Sequence, residues 1–337
     1  MTAQPLDGVR VLDLTTFLSG PYAAMVLGQL GADVVKVESP TGDPTRGGQP
    51  VPDSDFWVAL HRGRRGVVLD LKQPGDHARL LEMVPGFDVV LDNARPGVMD
   101  RLSLGPAVLR AAHPSVITCS ITGYGADGSD APAIDGVIQA STGAFDLPVA
   151  FGQPSGPLPM QIADLAGGTA ASQAILAALY ERARTGEGTH ISIALTDALL
   201  PWLSIIDRTG ATRSPGTIVA TGSDDQRFLV QAPMHFKGRL AALLGLEYEP
   251  TEEYAQTVRA RLATRPAADW LKVLAAEGIP AAEVHSYDEA LAAPDAATDV
   301  VGDRRVPASP FVFDGTRRPS TAPPPALGQH TAELLGS

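Results

Sequence analysis

The chain has 337 residues, 44% of them hydrophobic, with 38 acidic against 26 basic side chains and a net charge of −12. That length suits two domains with sizeable cores. The acidic balance argues against a general nucleic-acid or membrane-surface binder, because polyanions would be repelled.

The first 200 residues alternate strand-like and helix-like pieces. VRVLDL (Val9–Leu14) reads as a buried strand. SGPYAAMVLGQLGA follows as a helix, with Ser19 as N-cap, Pro21 in the first turn and Gly31 at the stop. Further strands are read at Asp33–Glu38, Gly66–Leu71, Asp88–Asn93 and Ser115–Ser120, with helical segments between most of them. Short apolar strands alternating with helices imply a mostly parallel sheet covered on both faces. A long helix is predicted from about Leu165 to Arg184, stopped by the TGEG turn, and HISIAL (His190–Leu195) returns as a strand. Asp197 reads as an ordinary N-cap. RTGATRSPGT (Arg208–Thr217) reads as a linker. Beyond it a smaller α/β domain is expected, with a strand RFLVQA, helices near 235–245, 251–263 and 266–277, and IPAAEVHS. RRPSTAPPPALGQH is a proline-rich extended stretch, and HTAELLGS a short terminal helix.

Several motifs are missing. There is no G-x-G-x-x-G, no G-x-x-x-x-G-K-[ST] and no G-x-S-x-G, so hydride transfer and serine hydrolysis receive no support. No Cys/His cluster has zinc-ligand spacing, and no metal is expected. The lone Cys119 reads as a small core residue and can form no intrachain disulfide. The N-terminus lacks a signal-peptide pattern and no apolar run reaches membrane-spanning length, so a cytoplasmic protein with no membrane partner is expected.

The strand ends carry more information. Ser19 and Gly20 follow strand one, Asn93 follows strand four, and Thr122, Gly123 and Tyr124 follow strand five. Ligands of open parallel sheets bind outside such ends. The basic cluster HRGRRG (His61–Gly66), with Arg64 and Arg65, suits phosphate, as do Arg46, Arg95 and Arg101; the bland alternative is a solvated loop. Asp164 in IADLAGG has two readings. It suits a helix N-cap. It also suits a nucleophile: a carboxylate is ionised at neutral pH, the helix start favours that form, and Gly167 and Gly168 leave room for a ligand.

Taken together, these motifs resemble a known family. LDGVRVLDLTTFLSGPYAAMVLGQLGADVVKVESPTGDPTRGG, RRGVVLDLKQPGD, DNARPGVMDRLSLG, SITGYG, ADLAGGTAASQAILAALYERARTGEGTHISIALTDALL and LGQHTAEL resemble class III coenzyme A transferases, the CaiB/BaiF family, which includes the 2-methylacyl-CoA racemases. The resemblance spans 6–200 and returns at 326–335. It implies a Rossmann-like, parallel-sheet CoA-binding large domain (1–205 plus 315–337), a linker (206–220) and a smaller α/β domain (221–314), in an interlocked homodimer. It implies a transferase in which Asp164 attacks an acyl-CoA thioester, giving first an aspartyl anhydride and then an aspartyl-CoA thioester, from which a carboxylic acid acceptor takes the CoA. Backbone N–H groups near Gly167 would stabilise the oxyanions. CoA contacts carry over to Leu18, Ser19, Arg65, Leu69, Asn93, Ala94, Arg101 and Thr122. The chain departs from the family after Glu38, where Ser39 replaces the usual phosphate-binding arginine; Lys36 or Arg46 would compensate. Ala94 replaces an aromatic residue.

Racemases pair the aspartate with a histidine, and here Ile134 in AIDGVIQASTG occupies that position. Isoleucine carries no exchangeable proton. The segment resembles the transferase form, with Gln139 facing the site, and transfer is favoured over racemisation. A third reading, a non-catalytic acyl-CoA-binding protein, is motivated by the short C-terminal half and by the missing glycine-rich loop that shields the intermediate in formyl-CoA transferase. TGSDD (Thr221–Asp225) is too short and acidic to be that loop.

Overall fold

A computed structural model describes residues 4–49, 54–150, 153–206 and 217–336. The chain divides into two compact units. One comprises residues to Pro148, Pro154–Ile206 and Ala297–Ser337; the other comprises Val149–Gln153 and Asp207–Ala296.

The first unit is built on six parallel strands: β1 (Arg10–Asp13), β2 (Asp33–Glu38), β3 (Arg65–Val68), β4 (Val89–Asp92), β5 (Ile117–Thr122) and β6 (His190–Ala194). Their spatial order is β3-β2-β1-β4-β5-β6, so the winding direction reverses between β1 and β4. That reversal leaves a crevice at the carboxyl ends of those two strands. The helices are α1 (Ser19–Gln29), α2 (Asp55–His61), α3 (Pro74–Met83), α4 (Val98–Arg101), α5 (Pro106–Ala112), α6 (Asp135–Thr142), α7 (Leu147–Ala150, across the unit boundary), α8 (Ile162–Thr185) and α9 (Leu195–Ser204).

Strand alternation explains why both faces are covered. On β1, Val11 packs with Ala23, Leu27, Ile121 and Ile175 on the α1/α8 side. Its neighbour Leu12 packs with Val35, Val67, Leu80 and Phe87 on the other. The inner strands therefore carry short apolar runs with no polar face, the pattern that made them legible. Cys119 lies fully buried in β5, within the core cluster on the α1/α8 face.

Helix α8 has 24 residues and, by length and composition alone, is apolar enough to cross a membrane, contrary to the sequence expectation. Its packing explains the composition. The buried positions Ala163, Ala166, Gly167, Gly168, Ala171, Ser172, Ile175 and Ala178 form a small-residue stripe, and α8 packs against α1, α9 and β5. Gly168 lies where an added Cβ would be 2.4 Å from the Ser19 carbonyl oxygen, and at Gly167 it would be 2.2 Å from Leu195 Cδ2. These glycines permit close packing of helices rather than approach of a ligand.

The second unit is a three-stranded antiparallel sheet, β7 (Thr217–Thr221), β8 (Arg227–Gln231) and β9 (Ala281–Glu283), with α10 (Lys237–Leu244), α11 (Glu252–Leu262), α12 (Ala267–Ala276) and α13 (Tyr287–Ala292). Phe228, Val230, Leu240, Val258 and Leu274 form its core. Strand β7 occupies the end of the segment expected to be linker, and most of the rest of that linker, 207–216, lies outside the described residues. TGSDD is a hairpin turn: the Gly222 N–H donates to the Gln226 carbonyl at 2.8 Å.

The chain rejoins the first unit at Ala297, earlier than the 315 read from sequence. There it forms the antiparallel pair β10 (Thr298–Val301) and β11 (Arg304–Pro307), which the sequence reading missed. Residues 317–330 then run without helix or strand, and α14 (Thr331–Leu335) follows. This tail covers the outer edge of β3. The His330 N–H donates to the Gly66 carbonyl at 2.9 Å, and the Val68 N–H donates to Thr331 Oγ1 at 3.1 Å. Edge strands covered in this way are shielded from pairing with other chains.

Candidate active site

The crevice at the β1/β4 reversal opens into a cavity of about 880 Å³. Its floor begins with the loop after β1. Thr16 and Asn93 bond reciprocally across the reversal: the Thr16 N–H donates to Asn93 Oδ1 at 2.9 Å, and Asn93 Nδ2 donates to the Thr16 carbonyl at 2.8 Å. Asn93 Nδ2 also lies 3.4 Å from Ser19 Oγ.

Ser19 is not the N-cap of α1. Leu18 holds that position, without a side-chain cap, and Ser19 is the first helical residue. Ser19 instead lines the cavity beside Asp164, where its hydroxyl favours the ionised carboxylate.

Asp164 is not an N-cap either. It is the third residue of α8, which starts at Ile162. The cap comes from another helix: Asp135, at the start of α6, accepts from the Ala163 N–H at 2.7 Å and the Asp164 N–H at 3.2 Å. The other early donors of α8 are also bonded, Ile162 to the Met160 carbonyl and Leu165 to the Gln161 carbonyl. The cap supplied by Asp135 therefore frees the Asp164 carboxyl to face the cavity. Burial first, and then the charge of Asp135, pushes its pKa up to about 6, against the lowering effect of the Ser19 hydroxyl. The carboxyl is thus far more basic than the sequence expectation of a value near 4, yet mostly ionised at neutral pH.

Gln139 secures the adjoining wall. Its Nε2 donates to Asp135 Oδ2 at 2.5 Å and to the Met160 carbonyl at 2.9 Å, while its Oε1 accepts from the Leu158 N–H at 3.0 Å. Asp135 escaped the sequence reading; a carboxylate opening a helix four residues before Gln139 was the available signal. Phe17, Ile134 and Met160 present large exposed apolar side chains to the same cavity.

Of the sequence-predicted contacts, Ser19, Asn93, Ala94, Arg95, Thr122 and Asp164 line the cavity. The others do not. Leu18 is buried behind the loop, Leu69 lies in the core with Leu80 and Phe87, and Tyr124 packs against the opposite core. Arg101 is exposed on α4. The basic residues correct the expectation most sharply. Arg46 grips Glu38 bidentately at 2.6 and 2.7 Å, donates to the Pro325 carbonyl and lies over the Trp57 ring. Arg64 is buried against Asp13 at 2.7 Å. Arg65 pairs with Asp33 and with Glu333. Lys36 is buried against Asp43 at 2.9 Å. Ser39 is exposed, with its hydroxyl 2.9 Å from Thr41 Oγ1.

The chain matches the sequence model of CoA-transferase family III over residues 6–235 and 237–331. It is 30% identical to a probable fatty acyl-CoA transferase of Mycobacterium tuberculosis, over 99% of this chain and 98% of that protein. It is 32% identical to an acetyl-CoA:oxalate CoA-transferase of Acetobacter aceti, over 98% of this chain and 95% of that one. A crystal structure of the mycobacterial protein superposes with a TM-score of 0.83, covering 98% of this chain and 99% of its own. A CaiB/BaiF family protein from Brucella suis, 27% identical, superposes with a TM-score of 0.86 over 99% of both. With the model matched along nearly the whole chain and full-length relatives at this identity, the chain belongs to CoA-transferase family III.

Proposed function

We propose that this CoA-transferase moves coenzyme A from an acyl-CoA donor to a carboxylic acid acceptor, with Asp164 as the covalent nucleophile. One observation carries the reading. The Asp164 carboxyl, freed from capping by Asp135, faces a cavity at the topological switch point with the Ser19 hydroxyl against it.

The chemistry follows from the groups. An Asp164 oxygen attacks the thioester carbonyl, the C–S bond breaks, and CoA leaves as thiolate from an acyl-aspartyl anhydride. The thiolate attacks the aspartyl carbonyl, which releases the donor acid as carboxylate and leaves an aspartyl-CoA thioester. The acceptor carboxylate attacks that thioester and expels the thiolate again. Thiolate attack on the acceptor carbonyl of the second anhydride gives the new acyl-CoA and returns Asp164 as carboxylate. No net proton moves. Because the N-terminal donors of α8 are all bonded and Gly167 lies in its packed second turn, the hydroxyl of Ser19 is the donor best placed to steady the developing oxyanions. The basicity of Asp164 favours attack while leaving it ionised.

Ile134 supports transfer over racemisation. Its side chain is 70% exposed and lines the same cavity, where a two-base proton exchange needs a titratable group. Acyl-CoA followed by hydroxylamine is expected to leave a hydroxamate at residue 164, read by mass spectrometry. Normal CoA exchange by Asp164→Ala would refute the assignment. The interlocked homodimer implied by the family resemblance belongs to the same proposal, and solution mass by light scattering tests it.

A further inference from the structure

Within the basic cluster at His61–Gly66, Arg64 turns inward to the junction of β1 and α1, beneath the cavity. Arg64 is 6% exposed. Its Nη1 donates to Asp13 Oδ2 at 2.7 Å and its Nη2 donates to the Pro21 carbonyl at 2.5 Å, so one planar fork joins the end of β1 to the first turn of α1. Asp13 Oδ1 accepts from the Thr15 N–H at 3.0 Å and from the Thr15 hydroxyl at 2.5 Å. Lys36, fully buried, donates to the Thr15 carbonyl at 2.8 Å while paired with Asp43. The loop between β1 and α1 is thus held by Asp13 at the end of β1, gripped from the β2–β3 side by Arg64 and Lys36, and from the β4 side by Asn93.

Two further observations show that the grip is tight. Phe17, at the tip of this loop, has φ of 62°, a left-handed conformation that a bulky side chain avoids without external constraint. A Cβ added to Gly20 would lie 2.2 Å from Thr15 Cγ2, so Thr15 is locked against the helix start. Buried ion pairs add little net stability compared with apolar packing of the same volume, but they can specify one conformation. That is the role a strained loop requires.

We infer that Arg64, acting with Asp13 and Lys36, is a positioning residue that holds the Thr15–Ser19 loop in its strained form and so sets the Ser19 hydroxyl beside Asp164. This inference rests on the assignment of Asp164 as nucleophile. Arg64→Lys keeps a charge opposite Asp13 but cannot reach both Asp13 and the Pro21 carbonyl. It is expected to slow acyl-adduct formation at residue 164 by about tenfold or more, as small misplacements at a reacting centre do. In a Phe17→Gly background, where the left-handed conformation needs no constraint, the same substitution is expected to slow it less than about threefold, a coupling that a purely structural role does not produce. Equal losses in both backgrounds, or a rate within about twofold of wild type for Arg64→Lys alone, would overturn the inference. If Arg64→Lys does not fold, Thr15→Val removes the hydroxyl bond to Asp13 and carries the same comparison. Hydrogen exchange separates the two levels of argument. Amides of residues 15–19 should exchange at least about tenfold faster in the variant, whether or not an adduct forms. Absence of an adduct in the wild type would sink the Asp164 assignment alone, and unchanged exchange would sink the positioning role alone.

Discussion

Replacing Asp135 by asparagine tests the electrostatics of the site directly. The neighbouring Asp164 carboxyl is raised from 3.8 to about 6, roughly two units, by burial first and by the Asp135 charge second. Burial is the larger cause and repulsion from Asp135 the smaller one. Asparagine keeps an oxygen for the Ala163 and Asp164 N–H groups and removes the charge. The acid limb of the pH profile for adduct formation, set by ionisation of the nucleophile, should therefore move to lower pH. The asparagine amide also meets Gln139 Nε2, which now donates to Asp135, so the plateau rate is expected to fall. The position of the limb, not its height, is the readout. A limb that stays in place or moves upward would show that the Asp135 charge does not act on Asp164.

Three other outcomes are expected. Because folding raises the pKa of Asp164, the folded chain holds an extra proton between about pH 4 and 6, and stability falls as pH rises through that window. Asp164→Asn should abolish transfer yet melt a few degrees higher than wild type above pH 6, with the difference vanishing below about pH 4; a difference independent of pH would contradict this. Gly168→Ala sets a methyl 2.4 Å from the Ser19 carbonyl oxygen, against backbone, and should cost about 1–3 kcal/mol in denaturant unfolding, whereas Gly167→Ala meets only the flexible end of Leu195 and should be nearly neutral. Equal costs would refute the packing account. Finally, the exposed Phe17, Ile134 and Met160 side chains near Asp164 favour uncharged acyl groups; in a panel of donors, monocarboxylic acyl-CoAs should turn over ahead of dicarboxylic ones, and the reverse order would show that the apolar wall does not contact the acyl group.

The sheet was legible because its signal is local. Most strands are built around a short apolar run, and β2 was read at its observed limits, Asp33–Glu38. The resemblance likewise led to Asp164, Ser19 and Asn93, which the fold brings to one cavity. What the sequence concealed is non-local. Ser19 and Asp164 have the chemistry of N-caps, and only the placement of Leu18 and Asp135 shows that neither caps its helix. The arginines of HRGRRG look solvated or ligand-binding in isolation. Arg64 turns inward because its partners, 51 residues away at Asp13 and 43 away at Pro21, are delivered by the β1–α1 junction. The β10–β11 pair was missed because VVGDRRV sets three consecutive charges between short apolar ends, and α2 because its seven residues, DFWVALH, are apolar in one block from Phe56 to Leu60 and show no helical period.

The tail that covers β3 has a consequence for biosynthesis. Gly66 receives its partner from His330, 264 residues later in the chain. While the ribosome is still adding the intervening segments, the nascent sheet has an open flank whose amides and carbonyls await a cover. Translation at its usual pace leaves that flank bare for many seconds, a window in which a chaperone, or self-association, competes with the tail for the same row of hydrogen-bonding groups.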